Sequence, residues 1–248
     1  MTRQARGIAL FLIFSLLFSA VVAIMVLLGN RFTRQGEKET IHPVKQKRPT
    51  VIIDAGHGGE DGGAVGINGI YEKDVNLQIA KLLCDMLRAA GYNVVMTRTE
   101  DILLYDRDED FEGRKKVLDL AARLAVTQEY ENAIFVSIHM NAFPESQYAG
   151  LQVYHSPNDP RSESLAQQIQ TLARDALMPN NHRKIKASVG NIYLLDRCTL
   201  PAVLVECGFL SNPEEAAALA TDSYRRQMAA MLFGAISTYL EKENAPLS

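Results

Sequence analysis

Three near-continuous apolar runs, each closed by a residue able to bind or serve a metal, constrain this chain more than any other feature. Residues 51–53 lead into Asp54-Ala55-Gly56-His57, residues 133–138 into His139, and residues 202–205 into Glu206. Runs of Val, Ile, Leu and Phe without polar alternation read as central parallel strands buried on both faces. Ligands of open parallel sheets bind outside the carboxyl ends of the strands, so such a sheet brings His57, His139 and Glu206 together from distant parts of the chain. With Glu72 added, a catalytic set of two histidines and one carboxylate for zinc becomes available.

Each of these residues has a plainer reading. His57 fits a loop histidine whose neighbouring glycines make a tight turn, although a small-residue turn after a buried strand is also what a metal shell needs for close backbone approach. His139 has a similar setting between Ser137 and Asn141. Glu72 fits an acid complementing a helix dipole as well as it fits a ligand. Glu206, between Val203-Leu204-Val205 and Cys207-Gly208-Phe209, should be largely buried, which demands either a salt bridge or a task. His155 reads as a strand side chain, His182 as a solvated loop residue, and His42 falls in a linker. Cys207 reads as a small buried side chain, and Asp54 as a group that orients a ligand histidine.

The soluble part, from Thr50 onward, alternates strand-like and helix-like patterns, which predicts an α/β fold: a single three-layer domain with a mostly parallel twisted sheet flanked by helices. A glycine-rich loop over residues 56–69 precedes a helix over residues 73–90, stopped by Gly91. Further expected elements are a strand over residues 93–97, an acid-rich loop to Gly113, a helix over residues 114–128, and a strand near the sheet edge at residues 151–155. A helix over residues 162–177, strands over residues 192–195 and 202–205, and a final helix over residues 223–240 complete the pattern. Asn212-Pro213 with Glu215 reads as an N-cap, a first-turn proline and a capping-box acid.

Residues 7–28 form an uncharged, apolar stretch of about 22 residues, long enough to cross a bilayer and longer than a signal-peptide core. Residues 1–29 are therefore expected to be a transmembrane anchor or signal sequence, with the anchor favoured, and the polar residues 30–49 a linker. Net charge is -3, with Lys and Arg interspersed among acids except in short clusters such as His182-Arg183-Lys184, so no nucleic-acid partner is expected. The three cysteines, Cys84, Cys198 and Cys207, form no paired motif.

The motifs Ile53-Asp54-Ala55-Gly56-His57-Gly58-Gly59, Tyr71-Glu72-Lys73-Asp74, Ser137-Ile138-His139-Met140-Asn141-Ala142 and Val205-Glu206-Cys207-Gly208-Phe209-Leu210-Ser211-Asn212 resemble those of the zinc-dependent N-acetylmuramoyl-L-alanine amidases of bacterial cell-wall metabolism. The resemblance covers about residues 50–240. It implies one zinc ion held by His57, Glu72 and His139, with Glu206 as the catalytic glutamate, in a catalytic domain over residues 50–242. Residues 141–146 and 150–154 look most like the germination-specific branch, which removes stem peptides from spore cortex on the way to muramic δ-lactam.

That resemblance also implies peptidoglycan as substrate, export to the extracytoplasmic face of the membrane or the cell wall, membrane contact through the N-terminal segment, and an accessory activator protein as a further partner. Separate wall-binding repeats and a long insert blocking the zinc site are not expected between the motifs. Two other functions stay open at this point: a membrane-tethered peptidoglycan-binding or regulatory protein without chemistry, and another zinc hydrolase of peptidoglycan, such as a deacetylase or peptidase.

Overall fold

A computed structural model describes Met25, residues 49–105 and residues 113–243. All of the expected N-terminal anchor except Met25 and nearly all of the linker lie outside the described residues, as does part of the acid-rich loop. Among the described residues no helix is long and apolar enough to cross a membrane.

Strands β1 (Thr50–Ala55), β2 (Val94–Met96), β3 (Ala133–Asn141), β4 (Gln152–His155), β5 (Lys186–Ala187) and β6 (Ala202–Phe209) form one sheet in the order β2-β1-β3-β6-β4-β5. Helices α1 (Glu72–Ala89), α2 (Lys115–Gln128), α3 (Arg161–Ala176), α4 (Tyr193–Arg197), α5 (Pro213–Leu219) and α6 (Asp222–Glu243) surround it. β2, β1, β3 and β6 run parallel, as their unbroken apolar sequences require. The sheet is nevertheless mixed, because β4 pairs antiparallel with β6 and carries β5 with it. Antiparallel placement follows from the connection, since residues 142–151 contain no crossover helix able to return the chain to the far end of the sheet.

Alternation along the strands sorts side chains onto two unequal faces. Val51, Ile53, Val136, Ile138, Val203 and Val205 meet α1, α3 and α6 in the main core. Ile52, Phe135 and Leu204 meet Leu194, Leu195 and Leu200 in a much smaller cluster. On that second face the next positions along the strands are Asp54 and Ser137, then His139, Glu206 and Gln152. The apolar layer thus gives way to a polar row towards the carboxyl ends of the parallel strands.

Helix α1 begins at Glu72 itself and ends with Ala90 followed by Gly91 at φ 82°, the left-handed stop expected of glycine. The strand expected over residues 192–195 is instead the short helix α4. Its loop is folded by Asp196, whose carboxylate accepts from the Ser188 hydroxyl and from the backbone N–H groups of Gly190 and Ile192. Asn212 caps α5 through the N–H groups of Glu214 and Glu215, as expected. Glu215 does not close the capping box: its carboxylate turns to the N–H groups of Phe209 and Gly150, tying β6 to the start of β4.

Candidate active site

His57, Glu72 and His139 converge although they come from a loop, a helix start and a strand. One donor atom from each lies within 4.8 Å of the other two. Glu72 Oε1 is 3.2 Å from His57 Nε2 and 2.9 Å from His139 Nδ1. The same carboxylate accepts from the N–H groups of Ala64 (2.8 Å) and Met140 (3.1 Å), so its position is over-determined. Burial pushes the Glu72 carboxyl up, but the hydrogen bonds and charges of His139 and His57 outweigh it and hold the group well below the usual carboxylate range.

His57 adopts φ 60°, a left-handed conformation that costs a non-glycine residue energy and persists only when its surroundings impose it. Two buried arginines impose it. Arg123 donates from Nη2 to the His57 carbonyl (2.7 Å) and from Nη1 to the Ala55 carbonyl (2.8 Å). Arg98 donates to the carbonyls of Ala55 (2.8 Å) and Gly56 (3.0 Å), and Asn76 adds a bond to Gly56. Asp54 and Asp119 neutralise Arg123 at 2.6 and 2.7 Å. Gly56 has no alternative residue here, because a Cβ would lie 2.2 Å from the His139 ring.

Asp54 therefore touches no ligand histidine, contrary to the expectation from sequence. It accepts from Thr97 (2.7 Å), Ser137 (2.5 Å) and Arg123, and so acts on the His57 loop through Arg123. Burial raises the Asp54 carboxyl, but the Arg123 charge and the two hydroxyls outweigh that and lower it to about 2. The carboxylate beside a ligand histidine is Asp61, 2.9 Å from His57 Nδ1 on the ring edge away from Glu72. The pair is an ion-pair contact without hydrogen-bond geometry, and an acidic group at that edge is placed to orient the ring.

Glu206 lies in register with His139 on the neighbouring strand, inside β6 rather than at its end. Its Oε2 is sealed from solvent and has no hydrogen-bond partner, so the salt bridge considered from sequence is not made. Burial, with the Glu72 charge added, raises its carboxyl to about 7 against the opposing pull of His139 and His57. Two nitrogens and a buried carboxylate oxygen within 4.8 Å of one another, beside a strand that carries the unpartnered oxygen of Glu206, are donors whose types suit zinc. A cleft of about 300 Å³ reaches His57 and His139 and is walled by Ile192, Tyr193 and Leu204. His155 and His182 lie outside the cluster, and Cys207 is fully buried.

Residues 51–238 match the N-acetylmuramoyl-L-alanine amidase family. The chain belongs to that family. Among relatives of this amidase, the germination-specific N-acetylmuramoyl-L-alanine amidase of Bacillus subtilis is 37% identical over 196 residues, covering 79% of this chain and 81% of the relative. The CwlD amidase of Clostridioides difficile, solved in complex with the GerS lipoprotein, superposes with a TM-score of 0.74 at 34% identity, covering 78% of this chain and 99% of that one. The catalytic domain of the CwlV amidase of Paenibacillus polymyxa superposes with a TM-score of 0.64 at 31% identity, covering 78% of this chain and 98% of the other. The amidase is thus an enzyme of peptidoglycan, of a family that is zinc-dependent in general.

Arg98, Arg123, Asp61 and Asp119 were not singled out from sequence. The available signal was Thr97-Arg98, a polar pair directly after the short strand β2, and Asp61 four residues beyond His57 in a loop of glycines.

Proposed function

We propose that this amidase uses one zinc ion to remove intact stem peptides from spore-cortex peptidoglycan, a step towards muramic δ-lactam. The observation that carries the reading is the three-donor cluster of His57, Glu72 and His139 beside the unpartnered carboxylate oxygen of Glu206. The germination-specific relative in Bacillus subtilis supports the cortex role.

The scissile amide joins the lactyl group of N-acetylmuramic acid to L-alanine and is unreactive in neutral water. His57, Glu72 and His139 would hold the ion, with Asp61 fixing the His57 ring. When bound, zinc supplies a Lewis acid that acidifies water and stabilises negative charge on a carbonyl oxygen. Glu206 takes a proton from the attacking water as its oxygen bonds to the lactyl carbonyl carbon. The same carboxyl then delivers that proton to the alanine nitrogen as the C–N bond breaks, leaving a lactyl carboxylate and a peptide with a free amine. A carboxyl raised towards neutrality by burial is suited to accept and return a proton in one cycle.

Residues 1–29 serve in this reading as an anchor or leader, residues 30–49 as a spacer, and residues 50–242 as the catalytic domain working outside the cytoplasmic membrane. The complex of the Clostridioides difficile CwlD amidase with a lipoprotein supports an accessory lipoprotein partner for this amidase as well.

Mass spectrometry of cortex peptidoglycan incubated with zinc-loaded and zinc-stripped protein tests the reaction. The expected result is zinc-dependent release of intact peptides beginning at L-alanine. Released acetate would assign a deacetylase instead, an internal peptide cut a peptidase, and wall binding without cleavage a binding protein.

A further inference from the structure

The cluster His182-Arg183-Lys184 takes no part in the metal site, yet the sheet carries it towards Glu206. Gln152 on β4 lies directly opposite Glu206 on β6, one strand spacing or about 4.8 Å away. Arg183 Nη1 donates to Gln152 Oε1 at 3.2 Å, and Arg183 Nε donates to the Ala149 carbonyl at 2.7 Å. The guanidinium lies 4.4 Å from the centroid of the Phe209 ring and 5.9 Å from that of Tyr148. It is thereby pre-oriented by rings and neutral oxygens.

That charge is stacked on aromatic rings and left without a counter-ion. Among the described residues no carboxylate forms an ion pair with Arg183, and its Nη2 donates no hydrogen bond. Glu215 is near enough to feel the charge, but its two oxygens already accept from Phe209 (2.7 Å) and Gly150 (2.8 Å). A cavity of about 520 Å³ opens along Arg183 between Tyr148, Gly150, Asn181 and Glu215. A half-buried, stacked and unpaired guanidinium beside a cavity is suited to bind a carboxylate in a fixed geometry. The other flank of the site offers Lys116, an exposed side chain that already faces Asp61 at 3.7 Å.

We infer that Arg183 is a specificity-determining residue that binds a free carboxylate of the stem peptide, namely the α-carboxylate of the γ-linked D-glutamate following L-alanine. This inference rests on the amidase reading of the same site. Two residues of extended chain reach about 7 Å from the scissile carbonyl, which carries the D-glutamate carboxylate beyond the strand spacing from Glu206 to Gln152, the residue whose Oε1 accepts from Arg183. The peptide therefore leaves the site across β6 and β4.

Paired disaccharide-peptides test this, identical except that the second residue is D-isoglutamate or D-isoglutamine, with the full chain in detergent as enzyme. The wild type is expected to show a KM about 10- to 100-fold lower for the acid, the range of a hydrogen bond to a charged group. Arg183→Met should raise KM for the acid towards that for the amide, with kcat and zinc content little changed, and Arg183→Lys should restore part of the difference. Equal losses on both substrates would assign Arg183 a structural role and overturn the inference. So would a wild type indifferent to the two, or loss of discrimination in Lys116→Met instead. A wild type that cleaves neither substrate would remove the amidase reading itself, a different result from any of these.

Discussion

His57 and Glu206 belong to the same candidate site but are held there by opposite means. His57 sits in a loop beyond β1, in a left-handed conformation kept in place by Arg98, Arg123 and Asn76, all bonding to carbonyls of residues 55–57. Glu206 sits within a strand hydrogen-bonded on both sides, by β3 and β4, and owes its position to the ladder alone. A ladder position is insensitive to most neighbouring side chains, whereas a clamped loop is only as accurate as each of its clamps. Metal retention should therefore depend on residues remote from the ion, and the chemical step on Glu206 itself.

The sharpest separation is Glu206→Gln. Turnover should fall by at least about 10²- to 10⁴-fold, the range of general acid–base catalysis, while bound zinc measured by elemental analysis stays at the wild-type level. Substantial residual activity would remove the proton-transfer role from Glu206.

On the loop side, Arg123→Ala leaves Asp54 and Asp119 buried without their cation and should cost about 3–5 kcal/mol in denaturant unfolding. Arg123→Lys keeps the charge but cannot span the same oxygens, so zinc affinity should fall further than stability does. Equal zinc affinity in Arg123→Lys would show that the clamp is dispensable.

Asp61→Asn makes the comparison finer, since it removes the charge beside one ligand ring while an amide oxygen can still accept from the Gly63 N–H. Zinc affinity by competition titration should drop about 10- to 100-fold with unfolding unchanged, the usual cost of losing such a support.

Acid probes the clamp without mutation. The Asp54 carboxyl lies at about 2 in the fold against an ordinary 3.8. Its contribution of about 2 kcal/mol is complete above the unfolded value and disappears as pH falls from about 4 through 2. Zinc-free protein should lose that increment of stability in this window, and Asp54→Asn should flatten the loss.

The unbroken apolar runs were legible as β1, β3 and β6, and the spaced apolar residues as the buried faces of α1 and α6, because each follows from a period in a single segment. That His57 and His139 come close together was legible for a related reason, since adjacent parallel strands bring their carboxyl ends together whatever lies between them; Glu72, at a helix start, joins them by a route no strand pattern shows. Arg98 and Arg123 were not, since a buried arginine cannot be told from an exposed one until the carbonyls of residues 55–57, more than forty residues away, are in place. Helix α4 escaped the periodicity argument because five residues carry too little pattern to separate helix from strand. The reversal of β4 was hidden in a connection that bears no helix.

That reversal has a consequence for how the enzyme can change. Because β4 starts, rather than ends, at the catalytic edge, the connection over residues 142–151 forms part of the rim around the reaction centre and does not cross the core. Lengthening a surface loop costs little, about 0.6 kcal/mol for each doubling. The rim beside β4 can thus be rebuilt by insertion or deletion while the donor cluster and the sheet beneath it stay as they are.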